Sequence, residues 1–222
     1  MNQQMGSASI YLAEPVYIIS SASIVGKKEG EGPFGPLFDM VGQDDFFGAK
    51  TWEEAESSLQ KDAVYMALNK ANLKPEDMRY LFAGDLLGQS IATSFGISTF
   101  NIPMFGVYGA CSTCGESLSL GSMAVAAGYA DRVVCVTSSH FASAEKEFRY
   151  PLEYGSQRPL SASWTVTGSG AFVVDKEPGK TPRARITGIT TGKIVDYGLK
   201  DSMNMGACMA PAAADTIEQH FK

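Results

Sequence analysis

The sequence is short of several features that would place it in a specialised class of protein. No apolar run in it approaches the length of about 18 residues that a membrane-spanning helix requires. Its first residues, MNQQMGSASIYLAEP, lack the cationic start and the unbroken apolar core of a secretory signal peptide. We therefore expect a protein of the reducing cytoplasm, with neither a signal peptide nor a transmembrane segment.

Positive charge is also scarce. The 222 residues include 18 Lys and Arg against 24 Asp and Glu, which gives a formal net charge of −6, and the basic residues are scattered along the chain. Binding along a phosphate backbone needs a clustered basic stripe. The charge pattern therefore argues against nucleic acid as a partner.

Cysteine is too infrequent for a disulfide framework. Without a secretion signal, Cys111, Cys114, Cys135 and Cys208 are expected to be free thiols. The single C-x-x-C pair of Cys111 and Cys114 supplies too few ligands for zinc. We predict no metal and no cofactor.

What the chain does contain is an ordinary share of apolar residues, 45%, arranged in alternating strand-like and helix-like segments. The strand-like segments are PVYIISSASIVG, MRYLFAGDL, PMFGVYGA, RVVCV, TVTGSGAFVVD and RARITGITTGK. RVVCV is expected to be buried on both faces, and the last two segments are expected to be antiparallel neighbours. The alternation predicts an α/β fold with a mostly parallel mixed sheet covered by helices.

Two helices carry start signals. Thr51 and Glu54 predict a capping box at the start of TWEEAESSLQKDAVYMALNKANL, and Thr113 and Glu116 predict a second one before ESLSLGSMAVAAGYA. The second helix is rich in glycine, serine and alanine, which favours close approach to a neighbouring element. We expect it to be central and buried. KKEGEGPFGPLFDMVGQDDFFGAK is predicted to be a long surface loop.

Cys111 stands between the end of a strand and the start of this small-residue helix. A helix N-terminus lowers the pKa of a thiol and attracts anions. Four interpretations remain open: a nucleophile or ligand-pocket thiol, one half of a redox pair with Cys114, a metal ligand, or an inert buried cysteine. Cys135, inside RVVCV, is predicted to lie in the core.

Several longer motifs resemble one family. FGVYGACST, VVCVTSSH and TGSGAFVV resemble the amino-terminal half of the thiolase and ketoacyl synthase superfamily. Together with GPLFD, AGDLLGQ, TSSHFASAEKEFRYPLEYG and MGACMAPAAADTI, they are similar to the stage V sporulation protein AD family over nearly the whole chain. This resemblance implies a thiolase-like fold and, at Cys111, the position of the superfamily's acylated cysteine.

The resemblance also implies a function. The family takes part in the uptake of dipicolinic acid into the forespore and binds dipicolinate. This implies peripheral association with the spore inner membrane, with other proteins of the same sporulation operon as partners. Ser138, Ser139, His140 and residues 168–170 match stretches that flank the superfamily's pocket. Our candidate ligand-binding residues are Cys111, Ser139, His140, Arg149 and Ser169.

One departure weakens the case for catalysis. The superfamily takes its catalytic histidine from a second half, whereas the histidines here are His140 and His220 and no H-G-x-G-x motif is present. We predict an amino-terminal thiolase-like half over residues 1–210 and the beginning of a second half over 211–222. The exposed face of such a half predicts association, most simply as a homo-oligomer.

Some candidate residues have a plainer alternative. Arg149 suits a ligand carboxylate because guanidinium binds carboxylates in a two-pronged way, but it can instead pair with Glu147 or Glu153. His140 can be structural, and Asp85 can cap the turn that follows it. Cys208 is expected to pack against the second half.

Three hypotheses for function follow. The first is a non-enzymatic, thiolase-like protein that binds dipicolinic acid or its calcium chelate. The second is an acyltransferase or condensing enzyme with Cys111 as its nucleophile. The third is a structural scaffold subunit. Since no base accompanies the cysteine, a non-enzymatic role is favoured.

Overall fold

The structure is a computed structural model that describes residues 3–147, 164–201 and 204–222. Its centre is an eight-stranded sheet with β1 Gln4–Met5, β2 Ser9–Val25, β3 Met40–Val41, β4 Tyr80–Asp85, β5 Met104–Gly106, β6 Arg132–Ser139, β7 Gly168–Asp175 and β8 Ala184–Thr190. The α-helices within the described residues are α1 Lys27–Gly30, α2 Trp52–Lys70, α3 Ile91–Ile97, α4 Thr113–Ala126, α5 Phe141–Glu145 and α6 Met205–His220.

The sheet is mixed and mostly parallel, as predicted. Its main path runs β1-β2-β7-β6-β4-β5, and β3 and β8 also pair with β2. Strands β2 to β6 share one direction, whereas β1, β7 and β8 run against them. The two late strands are thus antiparallel to β2, but each pairs with β2 and not with the other.

Helices cover both faces of the sheet. Val134 and Val136 face a core that contains Leu59 of α2, while Val133 and Cys135 face a second core that includes Val125 of α4. All four strand residues are fully buried. The alternation of side chains along a strand therefore places β6 between two apolar layers, as its continuous apolar run predicts.

The Thr51–Glu54 capping box of α2 is confirmed. Thr51 Oγ1 accepts the N–H of Glu54, and the Glu54 carboxylate accepts the N–H of Thr51. The prediction of a second capping box, at Thr113 and Glu116, is wrong. Thr113 is already the first residue of α4, since a 3-10 turn over Ala110–Ser112 precedes it, and its hydroxyl accepts the N–H of Gly109.

The small residues of α4 let it approach the sheet closely. A Cβ built on Gly121 would lie 2.6 Å from the Sγ of Cys135 on β6. The helix is buried on this face only, since Leu120 on the other face is 45% exposed. The predicted burial of α4 therefore holds for the face that packs on the sheet, while the opposite face is open within the described part of the chain.

One other segment differs from expectation. The predicted surface loop after β2 contains α1, a 3-10 turn and β3, which adds to the sheet beside Ile24 and Val25. Helix α6 has no buried residue; the domain boundary predicted after residue 210 lies within its range and stays a prediction. No described helix has both the length and the apolar character needed to cross a bilayer.

Candidate functional site

The turn between β5 and α4 presents Cys111 at the surface. Cys111 lies in the 3-10 turn, and Ala110 before it has a φ of 48°, a left-handed conformation that is uncommon for a residue other than glycine. Cys111 and Cys114 are both free and exposed, so the structure contains no disulfide between them. Glu116 adds a negative charge to the first turn of α4, where it interacts favourably with the helix dipole.

Both thiols line an open cleft of about 310 Å³, which we call the Cys111 cleft. Its other walls come from the carboxyl ends of parallel strands β2, β4 and β6, where α/β sheets commonly bind ligands, and from the start of β7. The lining residues are Ser23, Ile24, Val25, Phe38, Leu86, Ala110, Cys111, Thr113, Cys114, Thr137, Ser138, Ser139, Val166, Gly168, Ser169 and Gly170.

Gly170 leaves part of the cleft open because it has no side chain. A Cβ built at this position would have no atom within 4 Å, so the space above its backbone is open. Gly168 differs, because a Cβ there would lie 2.9 Å from the carbonyl oxygen of Ile24. The TGSGA motif therefore contains one glycine that permits close packing and one that opens space.

The serines of the cleft already use their hydroxyl hydrogens inside the protein. Ser139 Oγ donates to the carbonyl oxygen of Val166 at 2.6 Å, and Ser169 Oγ donates to that of Thr137 at 2.8 Å. A carboxylate ligand can receive these hydrogens only if the hydroxyls rotate. None of the described lining residues is positively charged.

His140 is not among the described residues that line the cleft. Its ring is fully buried, with Nε2 2.7 Å from the carbonyl oxygen of Asp45 and Nδ1 accepting the N–H of Ala142. It lies beside Trp52 and Phe141, and burial lowers its pKa. These contacts give His140 a structural role as the N-cap of α5, and its contact with a ligand stays a prediction.

Three further residues named from the sequence have different outcomes. Arg149 lies outside the described residues, so its role stays a prediction. Asp85 caps α3, because its carboxylate accepts the N–H groups of Ser90 and Thr93. This agrees with the structural role predicted for it, the capping of the turn that follows. Cys135 is buried, as predicted, and burial raises its pKa.

Cys208 is exposed on α6. His220, the other histidine, has its Nδ1 2.8 Å from the Thr190 hydroxyl near the far end of β8. It is likewise not among the described lining residues of the cleft. Within the described residues, no group of His, Cys, Asp or Glu side chains is arranged to hold a metal ion.

A buried polar network behind the cleft escaped the sequence analysis. Glu56 of α2 accepts hydrogen bonds from Ser138 Oγ at 2.7 Å and from Ser143 Oγ, and Gln60 Nε2 donates to Ser138 Oγ at 2.7 Å. The same amide nitrogen also lies within hydrogen-bond distance of Thr93 Oγ1 and of the carbonyl oxygen of Gly84, so its two hydrogens are shared among three acceptors. These bonds tie α2 to the ends of β4 and β6.

A signal for this network exists in the sequence. Glu56 and Gln60 stand four residues apart, in line with Val64 and Leu68, which are buried. Residues at this spacing share one face of a helix. Two polar residues in line with a buried apolar pair predict a polar network inside the core.

Comparison with known proteins identifies the family. The family model for stage V sporulation protein AD (SpoVAD) matches residues 6–222. The stage V sporulation protein AD of Bacillus subtilis (strain 168) is 45% identical over 217 residues, which are 98% of this chain and 63% of that protein. The chain thus spans less than two thirds of the length of this curated relative.

Solved structures share the fold. A variant of OleA from Xanthomonas campestris matches with a TM-score of 0.59 and 14% identity, over 94% of this chain and 72% of that one. The 3-oxoacyl-[acyl-carrier-protein] synthase III of Aquifex aeolicus VF5 matches with a TM-score of 0.50 and 19% identity, over 74% and 55%. The fold is thiolase-like, as the motifs predicted, and the chain belongs to the stage V sporulation protein AD family.

Proposed function

We propose that this chain is a thiolase-like, non-enzymatic protein that binds dipicolinic acid, and that it serves dipicolinate uptake into the forespore during sporulation. The observation that supports this most directly is the open Cys111 cleft, which keeps room above Gly170 but has no histidine among its described lining residues. No histidine among these residues can serve as the general base that commonly activates a cysteine nucleophile.

The proposal includes where the protein acts and with what. It works as a peripheral protein at the spore inner membrane, with other proteins of the same sporulation operon as partners, and it associates with itself. The exposed face of α4 and the unburied helix α6 support a role for protein contacts. Light scattering tests the self-association, and a monodisperse monomer contradicts it.

Calorimetry tests the binding function. Dipicolinate and its calcium chelate are titrated separately into the protein, which distinguishes the free dianion from the chelate as the ligand. We expect saturable binding that weakens in Cys111→Ala and Arg149→Ala. The absence of binding by either form contradicts the proposal, whereas binding unchanged in both variants contradicts the assigned site.

A second candidate function is acyl transfer through Cys111. One observation favours it: the thiol is exposed at the start of α4, directly after the left-handed Ala110. In this reaction the Cys111 thiolate attacks the carbonyl carbon of an acyl thioester, the bond to the leaving thiolate breaks, and an acyl-cysteine forms. Incubation with acyl-CoA thioesters followed by intact-mass measurement tests it, because the adduct must appear in the wild type and be absent in Cys111→Ala.

A further inference from the structure

The carboxyl group of Glu56 lies directly behind the Cys111 cleft. Its side chain is 1% exposed and accepts the hydrogen bond from Ser138, a residue that lines the cleft. The carbonyl oxygen of Ser138 in turn accepts the N–H of Leu86, another lining residue, at 3.0 Å. A single residue therefore separates this buried carboxyl group from the space that a ligand would occupy.

The described surroundings of Glu56 offer no compensating positive charge. Asp85, at the end of β4, is acidic, and its charge raises the pKa of Glu56. At α5, His140 has its pKa lowered by burial, Glu145 is acidic and Lys146 pairs with Glu53. Helix α3 contains no titratable residue, and Tyr17 of β2 and Asp175 of β7 lie at the opposite end of the sheet, beside Arg132.

These surroundings bring the pKa of the Glu56 carboxyl group close to neutral pH. Burial, with a smaller contribution from Asp85, raises its pKa to about 7, although the hydrogen bonds from Ser143 and Ser138 act in the other direction. An anion in the cleft would add a further negative charge across a region of low dielectric. Such a charge disfavours the ionised carboxylate further.

We propose that the Cys111 cleft takes up its anionic ligand together with one proton, and that Glu56 holds this proton. The ionised carboxylate gains a hydrogen ion from solvent when the ligand binds and returns it when the ligand leaves, and no other covalent bond changes. The protonated carboxyl group can donate to Ser143 Oγ, whose hydroxyl then donates to the carbonyl oxygen of His140. Glu56 does not touch the ligand, since Ser138 stands between them. The inference rests on the proposed function, because it requires a carboxylate ligand in the cleft.

The test is calorimetry with dipicolinate in two buffers of different ionisation enthalpy, such as phosphate and Tris, between about pH 6 and about pH 8. Carboxylates with ordinary pKa values stay ionised in this range. The difference in apparent binding enthalpy between the buffers gives the number of protons taken up. Wild type is compared with Glu56→Gln, which keeps a hydrogen-bonding side chain of the same shape, and with Asp62→Asn, which removes a partly exposed carboxylate from the same helix.

We expect proton uptake by wild type and Asp62→Asn to rise from near zero at about pH 6 towards one proton per ligand at about pH 8. Their affinity should weaken by up to about tenfold per pH unit above about pH 7, and Glu56→Gln should show neither effect. Uptake that persists in Glu56→Gln overturns the inference while the proposed function stands. If Glu56→Gln does not fold, a wild-type affinity that is independent of pH overturns this inference but leaves the proposed function standing. The absence of dipicolinate binding at every pH overturns the proposed function as well.

Discussion

The carboxylate of Glu56 on α2 accepts the hydroxyl hydrogen of Ser138 at the end of β6, with 2.7 Å between the oxygen atoms. This bond crosses from the helical layer to the edge of the sheet where the Cys111 cleft opens. A structural element that packs the core and an element that shapes the cleft are therefore joined through one buried carboxyl group. Several measurable consequences follow from this arrangement and from the cleft itself.

The stability of the fold should depend on pH through Glu56. The pKa of Glu56 is raised from 4.5 to about 7 in the folded protein, so its contribution is fully present below about pH 4.5 and is lost as the pH rises to about 7. The loss is on the order of 3 kcal/mol. Glu56→Gln should lack this loss and so gain stability relative to wild type at about pH 8.

Urea unfolding of both proteins at about pH 5 and about pH 8 measures this difference. Groups that do not interact electrostatically with Glu56 are common to both proteins, so the difference between wild type and variant cancels their contribution. A stability difference that does not change between the two pH values would show that Glu56 does not titrate in this range.

Filling the space above Gly170 should block ligand binding without harming the fold. Gly170→Val places methyl groups in the open part of the cleft, where no atom lies within 4 Å of the new Cβ. We expect at least a tenfold loss of dipicolinate affinity by calorimetry and a free energy of unfolding within about 1 kcal/mol of wild type. Gly106→Val is the matched control, since Gly106 also lies in a strand with room for a Cβ but does not line the cleft. Equal affinity in both variants would place the ligand elsewhere.

Replacing His140 should affect stability more than ligand affinity. His140→Ala leaves the buried N–H of Ala142 and the carbonyl oxygen of Asp45 without their ring partners. The expected loss is about 2 to 4 kcal/mol by urea unfolding. His220→Ala, at the exposed histidine, should change neither property. A His140→Ala protein of normal stability that no longer binds dipicolinate would instead restore His140 as a ligand-binding residue.

The four thiols should react in two groups. Cys111, Cys114 and Cys208 are exposed and should be alkylated by iodoacetamide in the native protein, whereas the buried Cys135, whose pKa is raised by burial, should react only after unfolding. Intact-mass measurement counts the labels, and peptide mapping assigns them. Dipicolinate should protect Cys111 and Cys114 but not Cys208, and equal labelling of all three with saturating ligand would argue against the cleft as its site.

Sequence patterns were sufficient for much of the fold because they are local. The structure confirms three elements that local patterns predicted: the capping box at Thr51 and Glu54, the helix with apolar spacing along α2, and the buried strand from the continuous apolar run in β6. The motifs around Cys111 were long enough to place the chain in its family and in a thiolase-like fold. They also located the turn on which the exposed thiol lies.

Only the tertiary structure decided how the candidate residues divide between the cleft and the core. Ser139 and His140 are adjacent in the sequence, yet Ser139 lines the cleft while the ring of His140 is buried between aromatic side chains. Thr113 could cap a helix by its sequence, but the 3-10 turn before it makes it the first helical residue. Glu56 meets Ser138, 82 residues later in the chain, because the helix packs on the sheet. Contacts between distant segments depend on how the layers pack, and no local pattern contains that information.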